Sequence, residues 1–439
     1  MEMINCRTPS TRAIRRSPRI ARDNGWWCAL GFVWFALAAL CHPPSVEAQV
    51  AVRGGTIYTM AGEPIRDGVV VIHNGKIAAV GPAAQVVIPP GYRVLEAAIV
   101  TPGLIDAHGT AGLTGIYNQP HDQDQLERSG AMQPELRAMD AVNIREQLID
   151  YLRSFGITTI HTGHAPGELV SGQTMIIKTV GNSVEDAVVI EQAAVAATLG
   201  PGGTRSTGSP GTRGKQIAML RQELIKAQEY QQKRNPTVAE GGDGQAGDKG
   251  SSGRDLRMEA MVEVLEGRLP LLVTANKAQD IASALRLAEE FKIRLWLDGA
   301  AESYLMIDQI RAARVPVILH PTMTRAVGEY ENLSFETAAK LVQAGIPVAM
   351  QSGFEGYVPK TRVVLFEAAL TAAHGLSFEQ ALSSITRDAA VMLGVSDRVG
   401  SIEIGKDGDL ALFDGDPFEY TSHCLGTIID GRVVSELKR

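Results

Sequence analysis

The chain has 439 residues, 45% of them hydrophobic and 21% charged, the usage of an ordinary globular protein long enough to bury a large core. Lysine and arginine number 42 against 49 aspartates and glutamates, a formal net charge of −7. An acidic chain without a basic stripe in its body is a poor binder of phosphate backbones, so nucleic acid is set aside as a partner.

The first 25 residues hold six arginines, and Trp26 to Leu40 then runs fifteen residues without a charge. That run is short for a bilayer span and suits the apolar region of a secretory signal. Val46-Glu47-Ala48 puts small residues at the −3 and −1 positions, so residues 1–48 read as a signal peptide cut after Ala48. The expected location is periplasmic or secreted, with no stable membrane span once the signal is removed. Three alternatives stay open. Arg15-Arg16 suggests twin-arginine export, although Ser17-Pro18 follows it. Cys41 suggests lipidation, although Leu40 is bulky for the position before it, and the segment would also serve as an uncleaved anchor. Cleavage takes away Cys6, Cys28 and Cys41 and leaves Cys424 alone, so no intramolecular disulfide can form.

Residues 49–101 alternate in short β-like runs, among them Thr56-Ile57-Tyr58, Gly68 to Ile72 and Lys76 to Val80. His73-Asn74-Gly75-Lys76 reads as a hairpin turn, because Asn-Gly tolerates the positive φ such turns need. Residues 400–439 repeat the texture in Asp409 to Phe413 and Thr427 to Val434. Two separated β-rich ends of one chain can pair as a composite β-sandwich of 49–101 and 400–439.

Residues 102–399 have another rhythm. Apolar runs end in or are followed by polar residues: Ile157 to Ile160, Met175 to Lys178, Leu271 to Thr274, Leu295 to Asp298, Pro316 to His320 and Pro347 to Met350. Amphipathic stretches such as Ala278 to Phe291 and Phe335 to Ala344 lie between the later ones, the second stopped by Gly345. This alternation predicts an α/β fold of parallel strands with crossover helices, closed as a barrel. A low-complexity loop interrupts it at about 235–253. Gly208 to Lys215 has five residues between its outer glycines and Gln216 after its lysine, so it is not a phosphate loop.

The stretch Thr101-Pro102-Gly103-Leu104-Ile105-Asp106-Ala107-His108-Gly109-Thr110 carries the clearest motif. With Gly156 to Ile160, Ser171-Gly172-Gln173, Ala344 to Ala349 and Gly400 to Leu410, it resembles the amidohydrolase superfamily, in particular its imidazolonepropionase-like and dipeptidase-like members. The resemblance implies a distorted (β/α)8 TIM barrel with an appended β-sandwich. It also implies hydrolysis of carbon–nitrogen bonds in non-peptide or dipeptide amides, with one or two divalent metals, typically Zn²⁺, at the C-terminal mouth. Such metals lower the pKa of a bound water and polarise the carbonyl it attacks.

At the positions of the family's ligands this sequence departs from the pattern. His108 matches the first histidine of strand one, but Thr110 stands at the second. Lys178 is the nearest match to the bridging lysine. Thr274 and Asp298 stand where strands five and six bear histidines, and Ser352 or Gly353 where strand eight bears aspartate. The usual two-metal centre is therefore not expected, and at most one Zn²⁺ per chain is, with His108 and Lys178 as its inherited ligands. Several polar groups nevertheless end barrel strands, where such folds keep their chemistry. His108, His164, His320, Asp298 and Glu355 are the candidate catalytic residues, with His161 beside them, as a rearranged single-metal site or a metal-free acid–base set. Tyr357, Lys360 and Arg362 are candidates for orienting an anionic substrate. His73, His121, His374 and His423 read as surface or turn residues.

Three functions stay open: a hydrolase of carbon–nitrogen bonds with an altered metal site, an inactive barrel, and a metal-free isomerase or lyase. The inactive barrel would bind a small molecule or pair with an active amidohydrolase paralogue. The partners expected are a small-molecule substrate and either a second copy of the chain or such a paralogue. Export yields the first test: N-terminal sequencing of the protein from a fraction outside the cytoplasmic membrane should begin at or near Gln49, and an intact Met1 in a cytosolic form would contradict it.

Overall fold

The β-branched runs that open the chain form four strands, β1 (Val50–Ile57), β2 (Ile65–His73), β3 (Lys76–Pro82) and β4 (Arg93–Pro102). Asn74 and Gly75 turn β2 into β3 with φ of 51° and 77°, the left-handed pair that an Asn-Gly turn accepts at little cost. The computed structural model describes residues 49–117, 119–234, 253–320, 322, 325–354 and 363–437. The signal peptide with Cys41, the low-complexity loop up to Ser252, and Glu355, Tyr357, Lys360 and Arg362 lie outside the described residues.

The middle of the chain then alternates as β5 (Leu104–Gly109), α1 (Gln147–Arg153), β6 (Ile157–Thr162), β7 (Val170–Lys178), α2 (Val184–Ala187), β8 (Val188–Thr198), α3 (Arg213–Arg234), α4 (Leu256–Leu265), β9 (Leu271–Thr274) and α5 (Ala278–Phe291). It continues through β10 (Leu295–Gly299), α6 (Ile307–Ala313), β11 (Val317–Leu319), α7 (Thr337–Gln343), β12 (Val348–Met350), α8 (Val364–Ala373), α9 (Phe378–Ser384) and α10 (Arg387–Leu393). Strands β5 to β12 make one eight-stranded sheet in chain order. Its two edges meet where the Gly353 N–H donates to the His108 carbonyl at 3.0 Å, which closes the barrel. Seven of the eight strands are buried along their whole length, and β8 from Ala193 onward, as expected when helices cover one face and the barrel interior fills the other. On α5 the apolar stripe Ile281, Ala284, Leu287 and Ala288 is the face turned inward.

One strand departs from the all-parallel expectation. β7 runs antiparallel to both β6 and β8. Residues 163–169 alone join β6 to β7, too few for a crossover helix, so the chain can only turn back. The reversal moves Lys178. It ends β7 opposite Thr159, near the start of β6, and so sits at the bottom of the barrel, far from the mouth. The strand in fourth place is β8, which ends in Ala197-Thr198 and offers no lysine there. Lys178 is thus not a bridging ligand beside His108.

The chain ends meet in a second sheet, with β13 (Leu410–Phe413), β14 (Cys424–Ile429) and β15 (Arg432–Glu436) joined to the N-terminal strands where β13 pairs antiparallel with β4. Val52, Ile72, Ile77 and Val100 pack against Leu410, Leu412 and Ile428 in one apolar core. Lys178 fastens this sheet to the barrel: its buried ammonium donates to Asp407 at 2.7 Å, to Asp409 at 3.1 Å and to Asp430. Asp407 also accepts from Lys76 at 2.5 Å and from Arg398 at 2.9 Å. Burial pulls the Lys178 ammonium toward a lower pKa, but Asp409, Asp430 and Asp407 more than offset it, so it stays charged. Burial pushes Asp409 up to about 6. Among the described residues no helix is long and apolar enough to cross a membrane.

Replacing Lys178 by Met leaves this set of carboxylates without its buried cation and should cost about 3–5 kcal/mol. Asp409 already binds its proton more tightly folded than unfolded, so its contribution is fully present below about pH 4 and is lost as pH rises through about 6. The Lys178→Met variant should therefore regain part of its loss when urea unfolding is repeated at pH 5 instead of 7.5. Equal stability of variant and wild type at pH 7.5 would contradict the fastening role.

Candidate active site

At the mouth, Asp106 and His108 leave β5 on the same side, two residues apart. The His108 Nδ1 lies 2.9 Å from Oδ1 of Asp298, the last residue but one of β10. Asp298 is held from two further strand ends. The Thr274 hydroxyl of β9 donates to Oδ2 at 2.5 Å, and Gln351 Nε2, just past β12, donates to Oδ1 at 2.8 Å and to the Ile318 carbonyl at 3.1 Å. All four side chains are buried. Because a carboxylate only accepts, the proton of a neutral His108 belongs on Nδ1 and the lone pair on Nε2. That Nε2 is buried and meets no partner among the described residues.

Burial alone would lower the pKa of His108, but the Asp298 carboxylate beside it more than compensates and raises it above the ordinary histidine value. Burial likewise works against the charge of Asp298, yet His108, Thr274 and Gln351 together hold it below the usual carboxylate range. The pair is a hydrogen-bonded, charge-coupled unit.

The other candidates fall around it. His161, on β6, spends both ring nitrogens: Nδ1 donates to the Ala107 carbonyl and Nε2 accepts from the Thr174 hydroxyl, each at 2.7 Å. Its ring lies 5.3 Å from that of His108 and edge-on to Trp296, and burial pushes it down to about 3, so it is a neutral spacer. His164 lies against Gly172, where φ is +138° and a Cβ would come 2.4 Å from the imidazole Cδ2, so only glycine leaves room for that ring. Burial lowers His164 to about 4, with the Leu136 carbonyl working weakly the other way. His320 follows β11, its N–H on the Gly299 carbonyl at 2.8 Å and its ring edge-on to Tyr330. Among the described residues the structure bonds His108 to Asp298 and joins neither His164 nor His320 directly to them.

Sequence reasoning missed Gln351 and Asn276 and gave no role to Thr274, Asp106 or Ser352. Gln351 and Thr274 set the direction of Asp298. Asp106 accepts from the Ser352 backbone N–H at 2.9 Å and from its hydroxyl, which stitches β5 to the end of β12; burial pushes this carboxyl up to about 6. Asn276 stands two residues past β9 with its carboxamide buried. Asp106 lies within the Thr101 to Thr110 motif, and Ser352 was legible as a polar residue at a strand end. Their pairing was not, since 246 residues separate them.

The residues present do not suit a binuclear metal centre. Among the described residues no three His, Cys, Asp or Glu side chains converge to hold a metal ion. The donor chemistry points the same way: Thr274 and Ser352 turn hydroxyl protons toward Asp298 and Asp106, and Thr110 accepts from the Thr114 hydroxyl at 3.1 Å. Hydroxyl groups bound to carboxylates occupy the lone pairs a cation would need.

A family model described as "Amidohydrolase family" matches residues 113–435. The chain is 23% identical over 397 residues to "Amidohydrolase tasK" of Hapsidospora irregularis, covering 83% of this chain and 39% of that protein, so it spans under two-fifths of that relative's length. It is 22% identical over 426 residues to "Imidazolonepropionase" of Solibacter usitatus (strain Ellin6076), covering 89% and 93% of the two chains. The solved structure of an amidohydrolase from Thermotoga maritima MSB8 superposes with a TM-score of 0.81 at 27% identity, over 89% of this chain and all of that one.

Two neutral imidazoles held at about 3 and about 4 make the fold sensitive to acid. The unfolded chain protonates these histidines below about pH 6.5 and the folded chain does not, so their contribution is present above that pH and is lost as pH falls toward 4. Each costs about 1.4 kcal/mol per pH unit in that window, opposed by Asp106 and Asp409, whose raised values act in the other direction. His161→Gln should flatten the fall of melting temperature between pH 6.5 and 4.5. An unchanged slope would assign the acid sensitivity elsewhere.

Proposed function

The chain belongs to the amidohydrolase family, and from that premise we propose that it hydrolyses a carbon–nitrogen bond of a small-molecule amide, with His108 backed by Asp298 as general base where the family uses metal. The observation that carries this reading is the 2.9 Å contact of His108 Nδ1 with Asp298, which leaves a basic Nε2 with no other partner among the described residues. In the step proposed, Nε2 takes a proton from water as the oxygen bonds to the amide carbonyl carbon. The imidazolium then returns that proton to the nitrogen as the C–N bond breaks, giving a carboxylic acid and an amine. General base catalysis of this kind contributes roughly 10²- to 10⁴-fold in rate. Asp298 fixes the tautomer and stabilises the imidazolium, as a buried carboxylate does for a catalytic histidine.

Roles for Glu355 in the same proton transfers, and for Tyr357, Lys360 and Arg362 in orienting the substrate, belong to this reading, as does export of the protein with its substrate outside the cytoplasm. A second reading, a barrel that binds without catalysing, draws support from the same site, because Asp298 has both oxygens engaged.

His108→Gln should lower kcat by roughly 100-fold or more while changing KM little. The base must be deprotonated to work, so activity should rise with pH through a value above 6.5; Asp298→Asn removes the charge that raises it and should move the rising limb to lower pH. Dialysis against a chelator should leave the rate unchanged. Activity that disappears with the chelator and returns with Zn²⁺ would overturn the proposal, and failure to cleave any of a panel of small amides would favour the binding barrel.

A further inference from the structure

Asn276 has a role that the proton-transfer pair does not absorb. Its Nδ2 donates to Glu329 Oε2 at 3.3 Å, and since a carboxylate only accepts, this contact fixes which way the amide faces. Glu329 is anchored in turn by the Gly202 N–H, 2.8 Å from Oε1. The other end of the carboxamide, Oδ1, is therefore turned away from Glu329. It is buried and meets no partner among the described residues, in a residue only 4% exposed.

Its position points to the substrate. Oδ1 lies over the end of β10: a Cβ at Gly299, whose φ is +70°, would stand 2.6 Å from it and 3.4 Å from Thr274 Cγ2. Thr274 is the residue that donates to Asp298, so the orphaned oxygen lies near one of the side chains that hold that carboxylate. Among the described residues at the mouth, buried acceptors without donors include His108 Nε2, a ring nitrogen of His164 and Asn276 Oδ1. A buried acceptor left unpaired is costly, and a bound group that brings a donor relieves it. Water relieves Nε2 in the reaction proposed above; for Oδ1 the donor that an amide substrate brings is its N–H.

We propose that Asn276 is a specificity-determining residue whose Oδ1 accepts the N–H of the scissile amide, so that this site takes N–H-bearing amides and rejects N,N-disubstituted ones, including amides of a proline-type ring nitrogen. The inference rests on the reading that the mouth binds an amide. Gly299 belongs to the same device, because a Cβ there would collide with Oδ1 at 2.6 Å, and its left-handed backbone suits glycine.

The test uses the mature protein with the p-nitroanilides of acetic and benzoic acid and their N-methyl counterparts. Hydrolysis is followed by released nitroaniline, and binding by calorimetry on the His108→Gln variant. Wild type should favour the N–H compound of each pair by roughly tenfold to a hundredfold, in kcat/KM and in Kd. Asn276→Leu, near-isosteric and without the acceptor, should reduce that preference to within about threefold, with folding checked by circular dichroism. Glu329→Gln, which releases the constraint on the carboxamide's direction, should weaken the preference while keeping Asn276 in place. Equal cleavage or binding of the members of each pair by wild type, or binding of neither, would overturn the assignment. Discriminating binding without cleavage would leave it standing and refute the hydrolytic reading instead.

Discussion

A carboxylate buried at the end of β10 has to be satisfied from every side, and the mouth of this barrel is arranged around that demand. Taking the charge of Asp298 out of water costs several kcal/mol unless donors replace the lost hydration. β9 supplies the Thr274 hydroxyl, the segment after β12 the Gln351 amide, and β5 the His108 imidazole. Each donor comes from a different strand, so the bonds exist only when the barrel is closed in register. Closure itself relies on a second buried carboxylate, Asp106, which takes both polar groups of Ser352 across the seam. Fold and site are set by the same few contacts.

The antiparallel β7 links the two ends of the barrel. Near the mouth it supplies Gly172, against which His164 packs, and Thr174, which holds His161. At its other end Lys178 is fixed by three aspartates of the C-terminal segment. The sheet built from the chain ends is thus bound by a charged network to the strand that orders two mouth histidines. A buried cation among carboxylates is not an efficient source of stability, but removal of one member is strongly destabilising. Such a network makes one docking of sheet on barrel far better than its alternatives.

Much of the architecture was legible because it follows from local rules. The β-rich ends, the Asn74-Gly75 turn and the strands that end at Thr274, Gly299 and Met350 appear as their patterns and turn chemistry require, the second one residue longer than its apolar run. The reversal of β7 was not legible from apolar periodicity, since a fully buried run such as Met175-Ile176-Ile177 reads alike in either direction; the short connection before it was the available signal. At the site, His108 and Asp298 were both marked as strand-end groups, yet their mutual bond depends on barrel closure between residues 190 positions apart. Gln351 and Asn276 were missed because an amide carries no motif. Their importance comes from what they face: an acceptor-only carboxylate in each case, which fixes the amide and, for Asn276, strands its oxygen.

The most direct test is an NMR titration of the His108 imidazole in the folded protein. An apparent pKa above 6.5 in wild type that falls in Asp298→Asn, with Nδ1 carrying the proton in the neutral form, is the expected result. A pKa at or below 6.5 that ignores the Asp298 substitution, or a neutral tautomer protonated at Nε2, would contradict a base oriented by Asp298.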